Sequence, residues 1–121
     1  EDFIVYGSGS PLRQFIHSQD LARMIIKILD DYKYDETNTI ILSVDEDDEI
    51  SIGNVARLIS REFDWESRMV FDDKFSDGQY KKTADNSKWK ALYGDVKPIN
   101  IEGGIQDTIK WFIANYDSLR K

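Results

Sequence analysis

Cysteine is absent from the 121 residues, and the chain holds only two prolines and one histidine. Without cysteine, the sequence excludes a disulfide framework and any metal site built on thiolates. A single histidine also excludes a histidine-rich metal site, so we expect no bound metal. No apolar run approaches the roughly 20 residues that cross a bilayer. We therefore expect no membrane partner.

Positive charge is also scarce, because 16 basic residues stand against 23 acidic ones and the formal net charge is -7. A basic face is what binds nucleic-acid phosphates, so we expect no nucleic-acid partner. Hydrophobic residues make up 40% of the chain and charged residues 32%, which is typical of a folded domain. The length fits one domain. The chain opens in strand-like sequence without a methionine, and we interpret it as part of a longer protein.

Hydrophobic periodicity and turn residues predict the element order β, β, α, β, α, β, α, α. The predicted strands cover residues 3–6, 14–17, 39–44 and 68–71. The predicted helices begin near Ser18 or Asp20, after the caps Ser51 and Asp85, and near Glu102. In the first helix, one apolar stripe is expected from Leu21, Met24, Ile25, Ile28, Leu29 and Tyr32. The fold class is therefore mixed α/β, α+β-like, with few short strands and three main helices.

Several patterns that resemble chemical motifs are better explained as structure. Residues 7–10 read Gly-Ser-Gly-Ser, but Pro11 follows and no helix starts there, so a turn is favoured over a phosphate loop. Tyr93 and Lys97 have the spacing of a catalytic pair, but Gly94 and the following proline end helices. The acidic run at residues 45–49 lacks the spacing of a calcium loop and is interpreted as a solvated loop.

Four basic residues lie beside predicted turns and strand ends. They are Arg13, Arg68, Lys81 and Lys82. Guanidinium and ammonium groups on loops bind phosphates, but ordinary surface cations look the same in sequence. From spacing alone both interpretations stay open. Tyr6, just before the glycine turn, could form the aromatic wall of a binding site or pack in the core. Its residue type alone favours the core.

The segment 6–20, YGSGSPLRQFIHSQD, closely resembles the W-G-x-G-x-P-x-R-[EQ]-F-[IL]-H-x-x-D segment of the GDP-L-fucose synthase family. These enzymes are extended short-chain dehydrogenases/reductases. Three further segments agree with the family in order, so the resemblance covers essentially all of the chain. They are ILSV at 41–44 with EISI at 49–52, VFD at 70–72 with SDGQYKKT at 76–83, and the final WF and NY pairs.

The resemblance implies that residues 1–121 form a single C-terminal substrate-binding lobe. The parent enzyme would convert GDP-4-keto-6-deoxy-D-mannose to GDP-L-fucose by 3,5-epimerisation and NADPH-dependent 4-reduction. Its NADP-binding Rossmann domain and all catalytic residues would lie outside this chain, which alone would be inactive and bind no cofactor. The parent is implied to be a cytoplasmic homodimer with a GDP-sugar substrate.

By motif, the resemblance implies four substrate-binding residues: Tyr6, Arg13, Arg68 and Lys82. Tyr6 occupies the position of the family's substrate-contacting tryptophan, and Lys81 is a neighbour that could share the role of Lys82. His17 and Asp20 belong to the motif but are interpreted as structural, a buried histidine and a helix-start carboxylate.

Two alternatives stay open. The first is the substrate domain of another nucleotide-sugar epimerase or reductase, since the R-x-F-I-H-x-x-D pattern is widespread in that superfamily. The second is a stand-alone acidic interaction module. Such a module would show an exposed apolar patch, and its nucleotide binding would not change in Arg13→Ala. The leading interpretation also predicts exposed apolar surface, where helical stripes would contact the absent Rossmann domain.

Overall fold

The fold is that of a computed structural model, which describes residues 1–31 and 39–119. Within these ranges the strands are short and the helices carry most of the ordered structure. The strands are β1 (Phe3–Tyr6), β2 (Leu12–Arg13), β3 (Ile50–Ser51) and β4 (Met69–Asp72). The α-helices are α1 (Ser18–Asp31), α2 (Ile52–Glu62), α3 (Ser87–Tyr93) and α4 (Ile101–Asn115). Short 3-10 turns cover Glu46–Asp48, Glu66–Arg68 and Tyr116–Ser118. The mixed α/β class is confirmed, but β2 and β3 do not lie where the second and third strands were predicted.

The strands form two separate pairs. β1 and β4 are parallel, with Phe3 opposite Met69 and Tyr6 opposite Asp72. β2 and β3 are antiparallel, and Leu12 also makes a parallel bridge to Lys81. In β1 the side chains alternate, so that Val5 is buried while Ile4 and Tyr6 face solvent. One face of the parallel pair is therefore left open.

The core gathers residues from β1, α1, α2, α3 and the segment before β3. Its buried hydrophobic residues are Val5, Met24, Val44, Ala56 and Trp89. α2 packs against both β1 and α4, which places it at the centre of the fold. As predicted, Ser51 caps α2, because its hydroxyl accepts the amide of Asn54 at 3.1 Å. Asn100 caps α4 in the same way, accepting the amide of Glu102 at 3.0 Å.

Two predicted strands are wrong. Residues 14–17 and 39–44 are not strands, although Ser43 and Val44 are buried as expected. Side-chain amides take the carbonyls that a neighbouring strand would have bound: Gln14 Nε2 donates to the Val44 carbonyl at 2.7 Å, and Asn86 Nδ2 donates to the Ser43 carbonyl at 3.1 Å. The hydrophobic pattern predicted the burial of Ser43 and Val44 correctly. It could not predict which groups would form hydrogen bonds with their backbone carbonyls.

α1 begins at Ser18, as predicted, but the residue that caps it differs from the prediction. The cap is His17, whose Nδ1 accepts the amide of Gln19 at 3.2 Å, and the ring is half-buried rather than buried. Asp20 is buried, pairs with Arg23, and accepts the amide of Ile99 at 2.8 Å. This carboxylate therefore joins α1 to the segment before α4 instead of capping its own helix. Tyr32, predicted to continue the apolar stripe of α1, lies outside the described residues.

Candidate functional site

Two loops lie side by side and meet at several points. We call them the double loop, residues 6–13 and 75–82. At one end the rings of Tyr6 and Phe75 lie with centroids 4.2 Å apart. At the other end the amide of Leu12 donates to the Tyr80 carbonyl at 2.8 Å. The structure therefore joins into one unit two motifs that are almost 70 positions apart in the sequence.

The Gly-Ser turn holds the carboxylate of Asp77. The Ser8 amide donates to Asp77 Oδ1 at 2.6 Å, and the Ser8 hydroxyl donates to Oδ2 at 2.6 Å. Hydrogen bonds from the Ser8 hydroxyl and amide lower the pKa of Asp77. Gly7 has a φ of +86°, and a Cβ there would overlap Asp77 Oδ1. The Ser8 amide and hydroxyl, which could have bound a phosphate, bind a carboxylate of the protein itself. Residues 7–10 therefore form a structural turn, as the sequence predicts.

The same turn also occupies the N-terminus of α2. The amide of Gly53 donates to the Gly9 carbonyl at 2.8 Å, and the amide of Ile52 donates to the Pro11 carbonyl at 3.0 Å. Gly9 has a φ of +72°, and a Cβ there would overlap the ring of Phe71. These first-turn amides are committed to the protein's own carbonyls, so they position the double loop and do not present a phosphate site.

Arg13 connects the two halves of the double loop. Its Nη1 donates to the Leu12 carbonyl at 2.6 Å, and its Nη2 donates to the Gln79 carbonyl at 2.9 Å. The side chain is half-buried, so these bonds fix the chain that follows the Asp77–Gly78 turn. This positioning role was missed by sequence reasoning, because the carbonyl partners lie 66 residues away.

Lys81 and Lys82 are adjacent but have opposite surroundings. The Lys81 ammonium pairs with Glu46 and lies 3.3 Å from the carboxylate of Glu49, which is almost fully buried. Hydrogen bonds to these two carboxylates raise the pKa of Lys81. Lys82 is exposed, and no acidic side chain within the described ranges pairs with it. Of the two, only Lys82 keeps a charge available for an external anion.

Arg68 lies away from the other predicted site residues. It comes just before Met69, which pairs with Phe3, whereas Tyr6 is at the other end of β1. Three residues of strand separate these positions by roughly 10 Å. The Arg68 guanidinium instead stands 5.7 Å from the centroid of the Trp65 ring. The structure thus gathers Tyr6, Arg13 and Lys82 along the double loop and leaves Arg68 at the far end of the parallel pair.

A second polar region lies beside the double loop. We call it the acidic cleft, a space of about 660 Å³ lined by residues 45–47 and 83–87 together with Lys90. Asp45 accepts hydrogen bonds from Asn86 at 2.7 Å and from Lys90 at 2.8 Å, which lower its pKa. The acidic run is therefore not simply a solvated loop, since both of its ends are held by polar partners. Within the described ranges, no cluster of potential ligands could hold a metal ion.

The Tyr93 and Lys97 pattern is rejected by the geometry, as expected. α3 ends at Tyr93, and Gly94 caps it with a φ of +84°. The two side chains therefore do not share a helical face. In the described part of the chain, no helix combines the length and apolarity needed to cross a membrane.

Comparison with known proteins gives a consistent match. Residues 1–42 match the model of the NAD dependent epimerase/dehydratase family. GDP-L-fucose synthase of Dictyostelium discoideum is 46% identical over 121 residues, which is all of this chain and 37% of that protein. The probable GDP-L-fucose synthase of Drosophila melanogaster is 44% identical over 98% of this chain and 36% of its own length.

A solved structure shows the same fold. The GDP-L-fucose synthetase of Naegleria fowleri, bound to NADP, superposes with a TM-score of 0.90 and 44% identity, over 99% of this chain and 37% of that one. The chain thus spans little more than a third of the length of the relatives that it matches. Over essentially its whole length it is similar to the GDP-L-fucose synthases, and its first 42 residues match the NAD dependent epimerase/dehydratase family.

Proposed function

We propose that this chain is the substrate-binding domain of an NADP-dependent GDP-L-fucose synthase, which epimerises and reduces GDP-4-keto-6-deoxy-D-mannose. The observation that carries the proposal is the double loop, which unites the Tyr6–Arg13 segment with Lys82, a cation that has no acidic partner among residues 1–31 and 39–119. A diphosphate needs cations at the point of contact, and nearby charge outweighs a net charge of -7 under physiological screening. The domain contributes to catalysis by orienting the nucleotide sugar.

The exposed face of α1 supports a second domain in the same enzyme. Ile25, Ile26 and Leu29 are all exposed there, Leu29 at 77%. Ile41 is exposed as well, and the buried hydroxyl of Ser43 has no hydrogen-bond partner within the described ranges. Exposed aliphatic side chains grouped on one helix are costly in water and are typical of an interdomain contact. We infer that the NADP-binding domain covers it, in a cytoplasmic enzyme that assembles as a homodimer.

A segment replacement tests the activity. The matched segment of the Dictyostelium discoideum enzyme is exchanged for this chain, and oxidation of NADPH is followed with GDP-4-keto-6-deoxy-D-mannose as substrate. The proposal expects turnover from the hybrid and none from the 121-residue chain alone, since the latter would lack the cofactor domain. A folded hybrid that binds NADPH but turns over no substrate would contradict the proposal.

Nucleotide preference separates this proposal from the same domain in another nucleotide-sugar enzyme. Tight inhibition of the hybrid by GDP-sugars, and weak inhibition by UDP- or dTDP-sugars, is expected for a GDP-L-fucose synthase. The reverse order would favour the other enzymes of the superfamily. Binding of GDP that is unchanged by Arg13→Ala would instead favour an interaction module.

A further inference from the structure

The turn that leads to Lys82 contains the only Asp-Gly pair of the sequence. Gly78 follows Asp77, whereas no other aspartate and no asparagine precedes a glycine. Both residues are exposed, and no atom in the described part of the chain lies within 4 Å of the place that a Cβ of Gly78 would occupy. The main-chain nitrogen of a glycine approaches the preceding carboxyl group easily, because no side chain crowds it.

The reaction open to this pair is isomerisation of the aspartate. The nitrogen of Gly78 forms a bond to Cγ of Asp77 and loses its proton, while the bond from Cγ to its hydroxyl oxygen breaks and water leaves. The product is a cyclic imide. Water then adds to the former main-chain carbonyl carbon of Asp77, and the bond from that carbon to nitrogen breaks. The chain now runs through Cγ, as an isoaspartate, and no oxidant, reductant or cofactor takes part.

The folded structure holds both reacting groups away from each other. The Ser8 amide donates to Asp77 Oδ1 and the Ser8 hydroxyl donates to Oδ2, both at 2.6 Å. The amide of Gly78 donates to Ser76 Oγ at 3.3 Å. The bonds from Ser8 also lower the pKa of Asp77, and a charged carboxylate reacts poorly because it has no hydroxyl to lose as water. The carboxyl group must therefore leave Ser8 before the ring closes.

We propose that the Asp77–Gly78 pair is a site of isoaspartate formation and that Ser8 keeps it unreacted in the folded chain. This chemistry does not depend on the proposed function, because it involves only bonds within the double loop. Isomerisation would lengthen the main chain by one carbon and place the free carboxylate on a shorter arm, out of reach of its present bonds. The next carbonyl, that of Gln79, accepts the Arg13 guanidinium at 2.9 Å, so the change would disturb the join between the two halves of the double loop.

Ageing of the purified chain tests the site. Wild type, Ser8→Ala, Ser8→Thr and Ser10→Ala are incubated for weeks near neutral pH, in buffer and in urea, and are then digested with trypsin. Cleavage after Lys74 and Lys81 releases residues 75–81 as one peptide. Its aspartate and isoaspartate forms have the same mass, but they separate by chromatography and differ in their fragment ions. We expect wild type to form isoaspartate at least about tenfold more slowly in buffer than in urea, since folding withholds both groups.

The variants assign the protection to one side chain. In buffer, Ser8→Ala should form isoaspartate about tenfold faster than wild type, because the charged carboxylate loses a hydrogen bond. Ser8→Thr keeps the hydroxyl and should stay as slow as wild type. Ser10→Ala is the matched control, since Ser10 bonds to the Ser8 hydroxyl at 2.7 Å but, among the described contacts, not to Asp77. It should age as wild type does, and in urea all four chains should react at one rate.

Every other result overturns the proposal. Absence of isoaspartate from wild type in urea would show that the pair does not react. Equal rates for wild type in buffer and in urea would show that folding gives no protection. A folded Ser8→Ala that ages like wild type, or an equal rise in Ser8→Ala and Ser10→Ala, would remove Ser8 as the protecting residue. Where circular dichroism finds Ser8→Ala unfolded, Ser8→Thr decides, because a faster rate in that folded variant would contradict a role for the hydroxyl.

Discussion

The double loop and the acidic cleft are neighbours built from similar polar residues, but they differ in whether all their lysines are paired with carboxylates. In the cleft, Lys90 and Asp45 neutralise each other, and Glu46 of the cleft together with Glu49 also holds Lys81 of the double loop. In the double loop, Lys82 has no acidic partner within the described ranges. Charges that satisfy each other stabilise a fold, whereas an unpaired surface charge is available to a ligand.

The largest expected effect concerns the backbone of the double loop. Gly9→Ala should lower the free energy of unfolding by about 3 kcal/mol, because a positive φ and an overlap with Phe71 add their costs. Gly94→Ala, at the end of α3, should cost only about 1 kcal/mol, since its φ is also positive but its Cβ meets open space. Urea denaturation measures both. Equal losses would show that the close approach of Gly9 is unimportant.

A smaller effect is expected from the side chain that closes the acidic cleft. Asn86 is buried and donates to the Ser43 carbonyl and to Asp45. Asn86→Ala should lower the free energy of unfolding by about 2 kcal/mol, because the buried Ser43 carbonyl and the half-buried Asp45 carboxylate lose their donor. Asn54→Ala is the control, since Asn54 bonds Arg57 at the surface and should cost well under half as much. A neutral Asn86→Ala would contradict the structural role given to the cleft.

The adjacent lysines provide the direct test of the comparison. Lys82→Gln should weaken GDP binding about tenfold, because a charge-assisted contact is lost, and should leave the urea midpoint unchanged. Lys81→Gln should do the opposite, lowering the midpoint because the buried Glu49 loses its cation, with little effect on GDP. NMR titration gives the GDP affinity of each variant, and urea denaturation gives the midpoint of each. Equal effects on GDP would remove the distinction between paired and unpaired lysines.

The smallest effect is a pH dependence of the Gly-Ser turn. The folded pKa of Asp77 is lowered from its ordinary value of 3.8, so its carboxylate stabilises the fold above that pH. This contribution is lost as the pH falls below 3.8 and through the folded pKa. Asp77→Asn should therefore flatten the acid side of the stability profile, measured as urea midpoints from neutral pH downward. Parallel profiles for wild type and variant would show that Ser8 does not favour the charged form.

Local patterns predicted a large part of the fold. The strand Phe3–Tyr6, the Ser51 cap and the end of α3 at Gly94 follow from residue types that act on their near neighbours. The strand expected at residues 39–44 failed because the side chains of Gln14 and Asn86 bind its carbonyls from distant positions. For the candidate site, Tyr6, Arg13 and Lys82 were selected by motif, but Phe75 carried no signal in the sequence.

By itself the sequence determined an acidic, cysteine-free domain of mixed α/β class, and it carried the motifs that align with GDP-L-fucose synthases. These properties depend on composition and local spacing. Only the tertiary structure decided that Asp77 fills the Gly-Ser turn and that Arg13 is bound to carbonyls. It also decided that Lys81 is paired while Lys82, within the described part of the chain, is not. The physical reason is that a side chain's partner is set by distance in space, and here the partners lie tens of residues away along the chain.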